Sequence, residues 1–305
     1  MYHSHRHDHA PGSVASFGRA FAIGIALNAL YVLVEAGLGV AVHSMALLAD
    51  AGHNLGDVIG LGSAWGAAWL SKREPSEQYT YGLRRTSILA ALANAITLLV
   101  VTGGIAWEAI QRLIAPESTS GPVIIGVALA GVVVNGTTAL LFRAGRKSDL
   151  NIKAAFMHMT ADASLALGVA VAGGVILLTG WQWVDPAVSL VISIVIVAGT
   201  WGLLRDSVNF SLDAVPPGID QGAVGGYLRA LPGVMEVHDL HIWGMSTTET
   251  ALTAHLVRAD AGRDSELLHR IGHDVHHRFG IGHATVQLET PEHAGACELR
   301  PGNVV

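Results

Sequence analysis

Residues 44–57 read SMALLADAGHNLGD, and they place His53 and Asp57 one helical turn apart within an apolar segment. A second apolar segment repeats the spacing with His158 and Asp162. Side chains at positions i and i+4 of a helix share one face. Two such helices facing each other would therefore supply two imidazole nitrogens and two carboxylate oxygens, a ligand set suited to tetrahedral Zn²⁺. Nitrogen ligands disfavour Mg²⁺ and Ca²⁺, which prefer oxygen.

The composition of the chain indicates a membrane protein. Only 14% of its 305 residues are charged, 51% are hydrophobic and the mean hydropathy is +0.45. A soluble domain carries about 25% charged residues, so part of this surface is expected to face a lipid bilayer. The net charge of −6 and the lack of a basic stretch argue against a nucleic-acid partner. A single cysteine, Cys297, excludes an intrachain disulfide and a zinc site made of cysteines alone.

Six apolar segments in the first two-thirds of the chain are each close to the ~20 residues that a membrane-spanning helix needs. Basic residues cluster in the loops after the second and fourth segments and after the sixth, which by the positive-inside rule predicts that both termini are cytoplasmic. We therefore expect an all-α, six-helix membrane bundle. The predicted spans are Ala20–Val42, Met45–Leu70, Ile88–Trp107, Val123–Phe142, Ala154–Leu178 and Pro186–Leu204.

The remainder of the chain has the composition of a soluble α+β domain. We expect a flexible, histidine-bearing tail at 1–18, the six-span domain at 19–206, a cytoplasmic α+β domain at 207–290 and a C-terminal tail at 291–305. Periodicity predicts helices at Ile219–Ala230 and Asp264–Phe279, the second with Leu268, Ile271, Val275 and Phe279 buried, and strands at Val237–Trp243, Thr248–Val257 and Ala284–Glu289.

Ionisable residues inside spans are functional by default, although a single one can simply hydrogen-bond a neighbouring helix. The repeated His-x-x-x-Asp pair favours a metal site, because two aspartates balance one divalent cation. Asp50, Asn54 and Glu35 are expected to support that site, with Asp50 either hydrogen-bonded within it or lining the entry path. Glu108 and Asp185 lie at span ends and are expected to face water.

Three stretches of this sequence resemble motifs of the cation diffusion facilitator family: residues 44–57, residues 154–162 (AAFMHMTAD) and residues 237–243 (VHDLHIW). The resemblance implies a homodimeric zinc/proton antiporter with a ferredoxin-like, metallochaperone-like cytoplasmic domain. It also implies that His53, Asp57, His158 and Asp162 form the transport site. Family members with aspartate in place of the first histidine accept more metals, so His53 indicates Zn²⁺, with Cd²⁺ or Co²⁺ as lesser substrates.

The same resemblance implies a second metal site in the cytoplasmic domain, at His238, His255 and Glu289. The family histidine of the last strand is replaced here by Gln287, or by His283 just outside the strand. We therefore add His283 to the predicted cytoplasmic ligands, and the number of metal ions in this site stays open.

Other histidines allow more than one interpretation. His3, His5, His7 and His9 alternate in the N-terminal tail, where they bind metal weakly or are inert. The 79–83 loop lacks a histidine, and no metal is expected there. Cys297 with His293 either completes a site or is a free cytosolic thiol. His269, His273 and His277 form a stripe on one helix that is either solvated or metal-binding.

Together these observations predict a secondary transporter that exports Zn²⁺ from the cytosol in exchange for H⁺, with zinc also acting as a regulatory ligand. The alternative is a membrane-anchored metal sensor without transport. An enzyme is not expected, because the chain has no HExxH motif and four protein ligands leave no open position for water. The chain also has no Gly-x-x-x-x-Gly-Lys loop for ATP.

Overall fold

The computed structural model describes residues 14–71, 73–143, 150–259, 264–294 and 297, which form two compact units. The first unit takes in described residues up to 62 together with 94–201, and the second takes in 63–93 and those from 202 onward. The N-terminal histidines lie outside the described residues. The first six helices are α1 (Val14–Ala41), α2 (Met45–Ser71), α3 (Thr86–Ile114), α4 (Gly121–Phe142), α5 (Leu150–Thr179) and α6 (Val184–Ser211).

These helices coincide with the six predicted apolar segments, but their ends differ. Helix α1 begins at Val14, so residues 14–18, predicted as tail, are helical, and α6 continues to Ser211. Among the described residues, four stretches are long and apolar enough to cross a membrane: Thr86–Ile114, Gly121–Leu141, Phe156–Thr179 and Val184–Ser211. The described apolar part of α1, Ala26–Ala41, is shorter, and α2 carries three ionisable residues within its apolar run. The structure thus confirms a membrane-spanning length and composition for four of the six predicted spans.

Close backbone approach brings helices together in the first unit. Helix α4 packs along α5, and a Cβ added at Gly121 would lie 2.9 Å from the carbonyl oxygen of Gly173. Small residues at such crossings let apolar helices pack without bulky side chains. Gly131 likewise leaves room for the hydroxyl group of Tyr31, where α1 packs on α4.

The second unit contains a three-stranded mixed sheet and three short helices. Strand β1 (Val234–Gly244) pairs antiparallel with β2 (Thr250–Arg258), and β2 pairs in parallel with β3 (His283–Glu289). The helices are α7 (Gln221–Arg229), α8 (Asp264–Phe279) and α9 (Pro291–Ala294). The expected α+β domain therefore has a small mixed sheet, with each predicted element within four residues of its expected ends.

The α+β part of the second unit, from residue 207 onward, is called the tail domain below, and its core departs from the sequence prediction at Leu268. Leu252, Ala254 and Leu256 of β2 are buried, as the period of two requires. On α8 the buried stripe is Leu267, Ile271 and Val275, whereas Leu268, predicted inside, is 39% exposed. The i, i+4, i+8 row faces the sheet, so Leu268 falls on its edge. Glu289, a metal ligand implied by the family resemblance, is buried, and α9 packs on β2 and β3.

Candidate metal centres

The first unit brings together the four residues of the repeated His-x-x-x-Asp pair. His53 and Asp57 lie on α2, and His158 and Asp162 lie on α5. Between the helices, His53 Nε2 is 3.4 Å from Asp162 Oδ1, and His158 Nε2 is 3.2 Å from Asp57 Oδ2. Within each helix the histidine–aspartate distances are 3.8 Å on α2 and 3.7 Å on α5. Each carboxylate therefore faces both imidazole rings.

Burial at this cluster leaves several candidate ligand atoms without a hydrogen-bond partner among the described residues. The side chain of Asp162 is 2% exposed, and neither of its oxygens has a hydrogen-bond partner among the described residues. The same holds, within that part of the chain, for Asp57 Oδ2 and His53 Nδ1. Unpaired carboxylates in an apolar bundle are costly unless a cation neutralises them. His158, at 43% exposed, is the open side of the cluster.

The predicted supporting residues sit in a buried layer on α1 and α2. Tyr31 donates a 2.7 Å hydrogen bond to Glu35 Oε1, and Glu35 is fully buried. Asp50 and Asn54 are 1% and 4% exposed. Both Asp50 oxygens and Asn54 Nδ2 lack a hydrogen-bond partner as far as the described residues go. Asp50 and Asn54 thus add buried polar groups to the helix that carries His53 and Asp57.

Asp185 is a correction to the sequence interpretation, because it is fully buried and does not face water. Its carboxylate accepts hydrogen bonds from Ser44 Oγ (2.5 Å), from the Met45 amide (2.6 Å) and from the Ala46 amide (3.4 Å). An aspartate of α6 thus caps the N-terminus of α2, where free amides and the helix dipole favour an anion. It fixes the start of the helix that carries His53 and Asp57.

A second cluster lies in the tail domain. Ligand atoms of His238, His255, Glu289 and Cys297 all lie within 4.8 Å of one another. Sheet register accounts for the first three, since His238 is paired with His255, and Glu289 is paired with Val257, two residues further along β2. His255 Nδ1 is 2.9 Å from Glu289 Oε1, and His238 Nε2 is 3.5 Å from Glu289 Oε2.

The structure does not bring His283 to this cluster. His283 is the first residue of β3 and is paired with Ala251, whereas Gln287 is paired with His255. Four residues of strand separate the two positions by about 13 Å. The ring of His283 instead contacts Tyr81 edge-on, with 5.5 Å between the ring centroids. Cys297, for which the sequence left two interpretations open, belongs to the cluster instead.

Apart from the half-buried His241, whose Nε2 lies 2.8 Å from Asp239 Oδ1, the other described histidines of the tail domain are exposed. On α8 the rings of His273 and His277 are 4.4 Å apart, and His269 is also exposed. His293 Nδ1 lies 3.1 Å from the hydroxyl of Thr290 and does not join Cys297. Both alternatives for the α8 stripe therefore stay as stated from the sequence.

Two protein-family models match consecutive regions of the chain. The family model described as "Cation efflux transmembrane domain" matches residues 21–209, and the one described as "Cation efflux protein, cytoplasmic domain" matches residues 216–291. The chain belongs to the cation efflux, or cation diffusion facilitator, family. It is accordingly a multi-pass membrane transporter of metal cations.

Curated relatives of this cation efflux protein match over nearly its whole length. Zinc transporter ZitB of Escherichia coli is 35% identical, covering 99% of this chain and 97% of the relative. Metal cation efflux system protein CzcD of Cupriavidus metallidurans is 34% identical, covering 93% and 89%. The "Cadmium, cobalt and zinc/H(+)-K(+) antiporter" of Bacillus subtilis is 33% identical, covering 86% of each chain.

Proposed function

We propose that this cation efflux protein is a secondary transporter that exports Zn²⁺ from the cytosol in exchange for protons, with Cd²⁺ or Co²⁺ as lesser substrates. The observation that carries the proposal is the meeting of two His-x-x-x-Asp pairs from α2 and α5 at 3.2–3.8 Å. Such a set replaces the hydration shell of a divalent ion with two neutral nitrogens and two anionic oxygens. All six helices would cross the membrane.

Proton exchange follows from the ligand chemistry in this proposal. Metal binding requires neutral histidines and ionised aspartates, so an ion that enters from the cytosol releases protons. Histidine, with an ordinary pKa of about 6.5, regains a proton on the opposite side and displaces the ion. The partial exposure of His158 and Asp57 supports this role, because an exchanging site needs access to water. The relative named as an antiporter in Bacillus subtilis supports the same coupling.

Contacts within the second unit support a cytoplasmic position for the loop between α2 and α3 and for the tail domain. Arg84 pairs with Glu249 at 2.7 Å, Arg85 pairs with Asp213, and Ser87 Oγ accepts the amide of Thr247 at 3.1 Å. A basic loop that binds the tail domain lies on the same side of the membrane, and basic loops stay in the cytosol. We therefore place both termini in the cytosol and the protein in the cell (inner) membrane.

The tail domain is proposed to hold a regulatory metal ion at His238, His255 and Glu289. Cytosolic metal would draw two tail domains of a homodimer together and favour one state of the transporter. The family assignment of residues 216–291 supports a domain of this kind. His283 is left out of this proposal, because the register of β3 places it elsewhere.

The test is flux of Zn²⁺ into proteoliposomes that contain a zinc dye, with an imposed pH gradient. Asp57→Ala and His158→Ala are expected to abolish uptake, whereas the unchanged chain transports. His43→Asn is the matched control, because His43 is exposed, lies outside the cluster and has a positive φ of 54° that asparagine tolerates. Collapse of the pH gradient is expected to stop uptake.

Normal transport by either ligand variant would refute the site, and uptake that ignores the pH gradient would refute proton exchange. Metal binding to the tail domain without flux from the unchanged chain would favour the membrane-anchored sensor. Comparison of Zn²⁺, Cd²⁺, Co²⁺ and Mn²⁺ in the same vesicles measures the metal preference.

A further inference from the structure

The chain segment after β3 returns to the sheet and places a thiol beside the tail-domain ligands. Helix α9 packs on β2 and β3, and Ala294 at its end is 1% exposed. The amide of Cys297 donates to the carbonyl oxygen of Ala294 at 3.3 Å, which turns the chain back toward the strands. Cys297 Sγ then lies 3.7 Å from His255 Nδ1.

Buried polar atoms of the same cluster provide an independent indication that a metal ion binds there. The side chain of His238 is 4% exposed, and across the described residues neither of its ring nitrogens has a hydrogen-bond partner. Glu289 Oε2 is also buried and also has no hydrogen-bond partner among the described residues. Such groups are costly to bury, and a coordinated cation would satisfy both of them.

Two of the distances between candidate ligand atoms match those around a single tetrahedral ion. Zn–N bonds of about 2.0–2.1 Å and a Zn–S bond of about 2.3 Å give ligand-to-ligand edges of about 3.3–3.7 Å. The His238 Nε2 to Glu289 Oε2 distance is 3.5 Å, and the Cys297 Sγ to His255 Nδ1 distance is 3.7 Å. The His255 Nδ1 to Glu289 Oε1 distance, 2.9 Å, is shorter, and it opens by a small rotation of the carboxylate.

Neighbouring polar side chains orient two of the candidate ligands, His255 and Glu289. His255 turns its other nitrogen, Nε2, toward Asp239 Oδ2 at 3.6 Å, so Nδ1 is directed at the cluster. Gln287 Nε2 donates a 2.8 Å hydrogen bond to Glu289 Oε1 and orients that carboxylate. Carboxylate–histidine pairs of this kind set the orientation of a metal-binding imidazole.

We propose that Cys297 supplies the fourth ligand of a closed, one-ion site with His238, His255 and Glu289, which takes Zn²⁺ or Cd²⁺ through two nitrogens, one oxygen and one thiolate. The inference rests on the proposed tail-domain metal site, but not on proton exchange or on flux. Binding releases the thiol proton. A thiolate favours soft and borderline ions over Mn²⁺, so this site differs in preference from the sulfur-free cluster between α2 and α5.

The test is titration of the full-length protein in detergent with Co²⁺ as a spectroscopic substitute for zinc. Because Cys297 is the only cysteine in the sequence, a thiolate-to-cobalt charge-transfer band in the near ultraviolet reports on this site alone. The unchanged chain is expected to show the band, and Cys297→Ala and His238→Ala are expected to lose it. His293→Ala, which removes a neighbouring exposed histidine, and Asp57→Ala, in the other cluster, are expected to keep it.

A second measurement covers variants that fold poorly, because it uses only the unchanged chain. Cd²⁺ is expected to slow alkylation of Cys297 by a maleimide at least about tenfold, because the thiolate that would attack the maleimide is then bound to the metal. Absence of the charge-transfer band at saturating Co²⁺, or an alkylation rate that Cd²⁺ leaves unchanged, overturns the inference. Flux is measured in the same preparations, so a chain with the band and without transport supports this site and refutes only the export proposal.

Discussion

The two ligand clusters of this protein are built by different kinds of secondary structure. Helices α2 and α5 each contribute a histidine and an aspartate one turn apart, so two elements supply all four candidate ligands. In the tail domain, three strands contribute one candidate ligand each, and the fourth candidate, Cys297, follows α9. A repeated spacing reveals the first arrangement in the sequence, whereas sheet register and chain path determine the second.

The clusters also differ in access and in donor chemistry. Between the helices, the side chains of His158 and Asp57 are 43% and 27% exposed, and every ligand atom is nitrogen or oxygen. In the tail domain, His238 and Glu289 are 4% and 5% exposed, and one candidate ligand is sulfur. An open cluster without thiolate favours rapid exchange, whereas a closed cluster with thiolate favours retention. The contrast agrees with a transport role for one and a regulatory role for the other.

The largest expected effect comes from one substitution in each cluster, which should separate transport from metal binding in the tail domain. Asp162→Ala is expected to lower Zn²⁺ flux by more than about 100-fold, beyond the cost of losing an outer partner of a metal ligand. His255→Ala is expected to abolish metal binding in the tail domain while measurable flux continues. Vesicle uptake and the cobalt spectrum of each variant measure the two properties.

Glu108→Ala is a suitable control, because this exposed carboxylate pairs only with Arg112 on its own helix among the described residues. Parallel loss of flux and tail-domain binding in both ligand variants would contradict the separation, since it would mean that the two clusters act as one unit.

The cluster between α2 and α5 (the helix cluster) is predicted more completely from the sequence than the cluster in the tail domain (the tail cluster). Its four residues follow from periodicity and from the cost of ionisable groups in apolar helices, both of which are local properties. His283 was a wrong choice, because it starts β3 opposite Ala251 and lies a full strand length from the ligands. Cys297 could be found only as an unpaired cysteine beyond the last strand. Its approach to His255 depends on how α9 packs, which no local pattern specifies.

Asp185 was missed for a related reason. An aspartate in the first turn of a span predicts a cap for its own helix or contact with water. Here it caps a different helix, and Ser44 at the start of α2 is the one local signal for that partner. The helix cluster thus depends on a long-range polar contact that periodicity does not reveal.

The second prediction concerns removal of this cap, which tests whether the helix cluster depends on Asp185 to hold the start of α2. Asp185→Ala is expected to lower the stability of the protein by roughly 2–3 kcal/mol, the size of hydrogen bonds to a buried charged group. Asp185→Asn keeps acceptor oxygen and is expected to lose less. Thermal unfolding in detergent measures the change, with flux measured alongside.

Asp206→Ala is the matched control, because Asp206 is an exposed aspartate on the same helix. If Asp185→Ala unfolds at the same temperature as the control and transports normally, the cap does not hold α2 in place. The helix cluster would then not depend on this long-range contact, and the contrast with the tail cluster, whose residues are positioned by sheet register, would fail.

The smallest expected effect concerns the tail domain away from its ligands. Tyr227 donates a 2.8 Å hydrogen bond to Asp274, and this contact joins α7 to α8. Burial, together with the nearby Asp274 carboxylate, raises the pKa of Tyr227 to about 12, and the hydrogen bond from Tyr227 lowers the pKa of Asp274. Tyr227→Phe is expected to lower the melting temperature of the tail domain by about 4 °C at neutral pH, as loss of one hydrogen bond does in a small domain.

The pH dependence of that difference follows from the two pKa shifts. The contribution of protonated Tyr227 is complete below the unfolded pKa of about 10 and is lost as the pH rises through about 12. The contribution of ionised Asp274 is complete above its unfolded pKa of about 3.9 and is lost as the pH falls below that value. Calorimetry of both chains should therefore give a constant difference from about pH 6 to 9 that shrinks on either side. Since neither residue touches the ligands, the cobalt spectrum should stay unchanged, and a weakened charge-transfer band would mean that the helix layer, and not sheet register alone, positions the tail cluster.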